Sequence, residues 1–279
     1  MTELRRAWRR LLRNRPSLVG LAIVAAMIIL ALAPELIAPY SPYVIDSVQR
    51  GSAPSQAHPF GMDQVGRDVL SRVIYGARVA MLVGLSATSL SLVVGVFVGA
   101  TAGYFGGGID AVLMRLVDAL QAFPILILLI AIAAALGPSL AHVIVILGLT
   151  TWAQYARVVR GDVLSLRQRE FILAARTVGV PNRRIIVRHI LPNALGPIIV
   201  LASLSVAGVI LLESALSFLG LGTQPPTPSW GSMLADGRTY ILTYPHIALF
   251  PGLAITLTVL AFNLLGDGLR DALDPRTRI

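Results

Sequence analysis

The chain alternates long apolar runs with short polar connections rich in arginine. Six runs suit helices crossing about 30 Å of hydrocarbon, at residues 18–37, 79–98, 119–136, 143–155, 194–216 and 247–265. The fourth is the weakest, because His142 precedes it and Trp152 and Gln154 close it. Each span has to be helical, since an open sheet leaves backbone donors and acceptors unpaired in lipid. Pro124 and Pro251 predict kinks in the third and sixth. Through the second run Ala87, Ser91, Gly95, Gly99, Gly103 and Gly107 recur every four residues. That stripe leaves one helix face almost bare, so another helix can approach closely, from this chain or from a partner. Gly106-Gly107-Gly108 predicts a turn beyond it.

The polar connections carry their own patterns. Between residues 39 and 78, Val69, Leu70, Val73, Ile74 and Ala77 follow Gly66-Arg67-Asp68 at helical spacing. This predicts an amphipathic helix lying on the membrane surface and feeding the second span, with partner docking as the alternative. The connection 224–246 opens with Pro225-Pro226-Thr227-Pro228-Ser229-Trp230-Gly231, a rigid stretch in which Trp230 is an anchor for the membrane interface or for a protein. Between residues 157 and 188, Phe171, Ala174, Ala175 and Val178 repeat at helical spacing until Gly179-Val180-Pro181 breaks the pattern. A second short helix is predicted from 182 to 190, halted by Pro192. Two such helices form a compact knob beside the membrane, although an arginine-rich loop held on anionic lipid has the same charge signature.

Composition confirms the solvent. The chain has 279 residues, 56% hydrophobic and 13% charged, which excludes an ordinary water-soluble domain. All 23 basic residues are arginine. Without lysine there is no P-loop, no lysine Schiff base and no lysine base, and without cysteine no disulfide or thiolate site. The net charge of +9 does not indicate nucleic acid, because no polar domain carries an arginine and aromatic stripe. Instead 18 of the 23 arginines fall on one side of the predicted spans, which places both termini in the cytoplasm. Ala31-Leu32-Ala33 resembles a signal cleavage site, but Pro34 follows it and the apolar run is long, so the first span is read as uncleaved.

Polar groups within the spans are the candidates for a solute path. Glu213, flanked by Ser214 and Ser217, needs partners in lipid, either a passing solute or a hydrogen bond between helices. Asp118, Gln121 and Asn263 are weaker candidates of the same kind. The four histidines stand in four separate segments, so neither a metal site nor a catalytic residue is predicted. Asp267, Asp271 and Asp274 share a helix face with Arg270 and Arg278 near, which reads as a solvated, salt-bridged tail.

Glu170-Phe171-Ile172-Leu173-Ala174-Ala175-Arg176-Thr177-Val178-Gly179, followed by Ile190-Leu191-Pro192-Asn193, resembles the EAA loop of ATP-binding-cassette importer permeases. His58-Pro59-Phe60-Gly61-Met62-Asp63, Gly66-Arg67-Asp68, Leu216 to Gly222, Pro225 to Gly231 and Leu264 to Asp271 extend the likeness over nearly the whole chain. Together they are similar to the C-type permease of dipeptide, oligopeptide and nickel importers. Two positions depart from the pattern: Leu173 stands at the loop's usual glutamate and His189 at its usual isoleucine.

The resemblance implies an all-α, multi-pass protein of the bacterial plasma (inner) membrane, with six transmembrane helices, cytoplasmic termini and a type I importer fold. It divides the chain into an arginine-rich start (1–16), a first span with its outer loop (17–78) and a five-helix core (79–279) whose EAA loop occupies about 157–192. It also implies a second permease as heterodimer partner, two cytoplasmic ATP-binding subunits holding ATP and Mg, an external substrate-binding protein and membrane lipid, with no cofactor in this chain. By the same resemblance Ala174, Ala175, Gly179, Val180 and Pro181 meet the ATPase, and Arg183 and Arg184 pair there with acidic residues or with lipid. Arg67, Asp68, Trp230, Asp236 and Arg238 face the binding protein, and Gly95, Gly99 and Gly103 pack helices. Peptide is the implied solute, with nickel chelates or glutathione as alternatives. A stand-alone secondary transporter or channel is the reading from a different class; it would leave the knob without a purpose and has only Glu213 as a midspan acid.

Overall fold

The computed structural model describes residues 10–273. Arg5, Arg6 and Arg9 of the predicted start at 1–16, and Asp274, Arg276 and Arg278 of the tail, lie outside the described residues. Among the described residues the chain is helical, with no strand beyond an isolated bridge between Met62 and Asp68.

Helix α1 (Arg15–Leu32) starts where the Asn14 side chain accepts from the Ser17 amide and Pro16 presets the first turn. The single turn α2 (Pro34–Ile37) follows. Helix α3 (Val69–Phe105) is capped by Asp68, whose Oδ2 accepts from the Ser71 amide at 2.7 Å. The amphipathic stretch 69–77 is therefore no separate surface helix. It forms the first turns of α3, and Val69, Ile74 and Ala77 are buried within the protein. At the other end α3 stops at Phe105, where Gly106 and Gly107 take positive φ values of 68° and 54°.

The third predicted span is broken. Helix α4 (Gly107–Gln121) and helix α5 (Ile125–Leu136) meet at 85°. Pro124 accounts for the break, because it lacks an N–H and clashes with the preceding turn. Helix α6 (Leu140–Leu166) runs well past the predicted end at 155. Its extension carries Arg157 and Arg160, whose charges are matched by Asp118 and Asp110 on α4.

Pro192 does not halt a helix as predicted. Helix α7 (Glu170–Thr177) is followed by α8 (Asn182–Ile185), a π-helical turn (Ile186–Ile190) and α9 (Leu191–Phe218), which continue into one another. The wider turn precedes the proline and leaves it in the first turn of α9: the Leu191 amide reaches back to Ile186 O, and Asn193 Nδ2 donates to His189 O at 2.6 Å. Helix α10 (Trp230–Arg238) and helix α11 (His246–Leu273) complete the bundle, with Pro251 inside α11. Among the described residues five helical stretches are long and apolar enough to cross a membrane, and α4 with α5 make a sixth span if counted together.

The tightest helix pair is α3 with α6. A Cβ at Gly99 would lie 2.5 Å from Ala156 O, one at Gly103 would lie 2.9 Å from Val163 Cβ, and one at Gly95 would collide with Tyr155. The bare stripe thus faces a helix of its own chain. Ser91 Oγ donates to Gly148 O across the same seam at 2.9 Å. Two further apolar clusters frame the molecule. Ala77, Ile210, Trp230, Met233 and Phe262 pack where α3, α9, α10 and α11 meet. Ile172, Ile185, Ile190, Val163 and Ala100 join α7 and α8 to α3 and α6 at the opposite end.

Candidate functional site

Helices α4, α5, α6 and α9 border an open groove of about 770 Å³. The turn at Pro124 swings Phe123 and Ile125 onto its wall, while Ala153 and Gly208 keep it wide. Leucines supply most of the remaining apolar surface. Thr150 and Thr151 are satisfied by their own helix, donating to Ile146 O and Leu147 O at 2.7 Å each. Polar recognition therefore rests with Gln121, Gln154, Ser205 and Arg157.

The candidates for the path are distributed unequally. Gln121 lines the groove. Asp118 holds its lip, accepting from Arg157 Nη2 at 2.7 Å. Asn263 is half-buried on α11 and is not part of the lining. Glu213 is 1% exposed and also off the groove wall. Its Oε1 accepts from Ser217 Oγ at 2.7 Å, Ser214 Oγ lies 3.4 Å from Oε2, and Ser217 Oγ in turn accepts from the Thr223 amide. Gly222 and Gly231 sit against Ser214 and Ser217, so this carboxylate organises the junction between α9, the following turn and α10.

At the end of the bundle where α3 and α6 finish, residues 167–190 form the expected knob. Gly179 has φ +78°, a value that L side chains rarely adopt, and it turns the chain between α7 and α8. Ile172 and Ile185 anchor the two helices in the core, and Val180 packs beside them. Ala174, Pro181, Arg183 and Arg184 are exposed, and Ala175 is half-buried. Val178 is 84% exposed and Leu173 49%, an unusual apolar display for a polar segment. Neither Arg183 nor Arg184 forms a salt bridge among the described residues.

The knob is tied to α3 by contacts with no local sequence signal. Tyr104 Oη donates to Asn182 Oδ1 at 2.7 Å, and the Arg176 guanidinium sits 4.7 Å from the Tyr104 ring centroid. Arg167 donates to Gly103 O and Tyr104 O at 3.0 and 3.3 Å, satisfying carbonyls that the end of α3 leaves free.

At the opposite end, residues 38–68 and α10 are knitted by charge. Asp63 accepts from Arg67 Nε at 2.6 Å and lies 3.5 Å from Arg72 Nε, and Arg67 also reaches Asp236 at 3.5 Å. Asp68 is buried, occupied by its cap and by His58 Nδ1 at 2.9 Å. Trp230 is not the surface anchor expected from its rigid loop. It is 1% exposed, closes on Gly76 and donates to Val73 O at 2.9 Å. A large ring with one N–H finds more area and a partner in the core than at a rim. Asp236 stays 41% exposed, and Arg238 lies 5.5 Å from the Phe218 ring centroid.

A bundle of spanning helices with a half-open groove and a projecting helical knob is the body plan of a membrane transport permease. The fold is similar to that of a chain in an inward-facing structure of the MetNI methionine ABC transporter, with a TM-score of 0.60 at 18% identity, covering 74% of this chain and 97% of the other. Residues 95–279 match the family model described as binding-protein-dependent transport system inner membrane component. Residues 2–57 match the N-terminal transmembrane domain of oligopeptide transport permease C. The chain belongs to this family of ATP-binding-cassette importer permeases and is a multi-pass protein of the bacterial inner membrane. It is 45% identical to the dipeptide transport system permease protein DppC of Alkalihalophilus pseudofirmus, over 98% of this chain and 90% of that one. The corresponding protein of Bacillus subtilis is 43% identical over 98% and 85%. The glutathione transport system permease protein GsiD of Pectobacterium atrosepticum is 41% identical over 99% and 92%.

Proposed function

We propose that the chain is one of two permease subunits of an importer that moves di- and oligopeptides inward, driven by ATP hydrolysis on separate subunits. The observation that carries this reading is its agreement, over 98% of its length, with permeases named for dipeptide transport. The groove supports it. Amide side chains at Gln121 and Gln154 suit a peptide backbone, and the leucine-rich wall accepts varied side chains. Glutathione is a second reading within the same chemistry, favoured by the 41% identical relative that bears its name.

The second permease completes the groove. Two ATP-binding subunits, with ATP and Mg, receive the knob through Ala174, Ala175, Gly179, Val180 and Pro181, and their acidic residues meet Arg183 and Arg184. The asymmetry of 18 among 23 arginines supports cytoplasmic termini and a cytoplasmic knob. The binding protein then approaches the opposite end, where Asp236 and Arg238 are its contacts and Arg67, Asp68 and Trp230 hold them in place. The test is uptake of radiolabelled dialanine into vesicles holding the full complex, with the binding protein outside. Uptake requiring all subunits and ATP is expected. Uptake of glutathione or a nickel chelate with none of dialanine would overturn the substrate, and uptake without the ATPases would overturn the class.

A further inference from the structure

Two Arg–Asp pairs bridge α4 and α6, and they are built differently. Arg160 grips Asp110 with two parallel hydrogen bonds, and this pair is mostly shielded, at 32% and 17% exposure. It clamps the two helices beside the apolar contact of Val117 with Ala153 and Ala156. Arg157 lies about one turn away on the groove lip and meets Asp118 through a single bond of 2.7 Å, at 53% and 61% exposure. Of the guanidinium's five N–H donors, the others have no hydrogen-bond partner among the described residues. Arg157 is also the one charged side chain lining the groove among the described residues.

A planar fork with donors turned to an open groove, on a half-exposed lip, is suited to a carboxylate. Resting on the peptide reading above, we propose that Arg157 is a specificity-determining residue: it reads the C-terminal carboxylate of a passing peptide, exchanging its bond to Asp118 for one to the solute. The pairing with Asp118 sets the strength. A doubly bonded arginine like Arg160 has committed its Nε–Nη2 edge and cannot offer it to an anion, whereas Arg157 keeps an edge free. Swapping one carboxylate for another is close to balanced, so the solute is recognised and still released, as passage requires. Asp118 then returns to Arg157 and resets the lip.

The experiment compares initial uptake of dialanine and of its C-terminal amide by the full transporter in vesicles, with the same saturating binding protein in every case. The ratio between variants then reports the permease alone. In Arg157→Gln the acid-to-amide ratio should fall roughly five- to tenfold, the effect of losing one partly hydrated charge-assisted contact. Arg157→Met, which keeps the aliphatic stem, carries the same expectation should Arg157→Gln fail to assemble. Asp118→Asn frees the guanidinium and should leave the ratio unchanged or higher. A merely structural pair predicts that Arg157→Gln and Asp118→Asn depress both probes alike; that result, with the ratio unchanged, overturns the proposal while leaving peptide transport intact. A wild-type complex that moves neither probe overturns the peptide reading and this proposal with it.

Discussion

Glu213 illustrates how one residue's surroundings decide its role. Its position between serines in an apolar run marked it as a group needing partners, and the partners are Ser214 and Ser217 of the same helix. Glu213→Ala removes the acceptor of a buried hydroxyl and opens a small void, and should destabilise the permease by about 2–3 kcal/mol. Glu213→Gln keeps an acceptor and should cost about 1 kcal/mol or less. Thermal unfolding of the detergent-solubilised complex separates the two, and equal losses would place the charge itself at fault. Glu35 gives a pH signature. The hydrogen bonds from Arg78 hold its carboxyl below the usual carboxylate range, and the same guanidinium donates to Ala31 O and Leu32 O at the end of α1. A depressed carboxylate favours the folded contact above the ordinary range and loses it as pH falls through the folded value. Protection of the amides at residues 35–38, taken relative to the intrinsic exchange rate at each pH, should therefore fall on acidification in the wild type. Glu35→Gln should lower that protection already at neutral pH and remove its pH dependence.

At the scale of elements, the glycine spacing in α3 was legible, and its partner was not. The four-residue period announces a bare face, yet nothing local says that α6 lies on it. Gly99→Leu forces atoms into the Ala156 backbone, which cannot yield as a side-chain tip can. We expect a loss of about 3 kcal/mol or more and poor assembly, read by yield and by unfolding temperature. Gly179 differs, because nothing lies within 4 Å of a Cβ there and only its φ of +78° constrains it. Gly179→Val should cost about 1–2 kcal/mol locally, whereas Gly179→Asn, which tolerates a left-handed conformation, should cost less. If the knob couples to the ATPases, the valine variant uncouples hydrolysis from uptake and the asparagine variant largely does not. Equal behaviour of the two would remove the turn from the coupling argument. Pro192 misled for a physical reason: its missing donor disfavours a regular helix interior, but a π turn stands just before it and places it in the first turn of α9, where an N–H is not required.

For the whole molecule, the arginine asymmetry and the fold make one prediction about sidedness. Cysteines introduced at Gln168 and Thr227 should be labelled by an impermeant reagent from opposite faces of the membrane; labelling from one face would invert the topology. The spans, the break at Gly179 and the knob were legible in the sequence, because helix periodicity, turn residues and hydrophobic length are set by near neighbours and by the bilayer; the class of protein was legible only through the resemblance of its motifs to a known family. The groove, the buried places of Trp230 and Glu213 and the ties of Tyr104 and Arg167 to the knob depended on tertiary structure, whereas Pro124 announced a kink between α4 and α5 and only its 85° size was not legible. Several of these join residues far apart in the chain; Trp230 and Val73 are separated by 157 positions. No local pattern encodes which distant surface a side chain will meet. That choice is made when all the helices pack at once and each buried polar group has to find its partner.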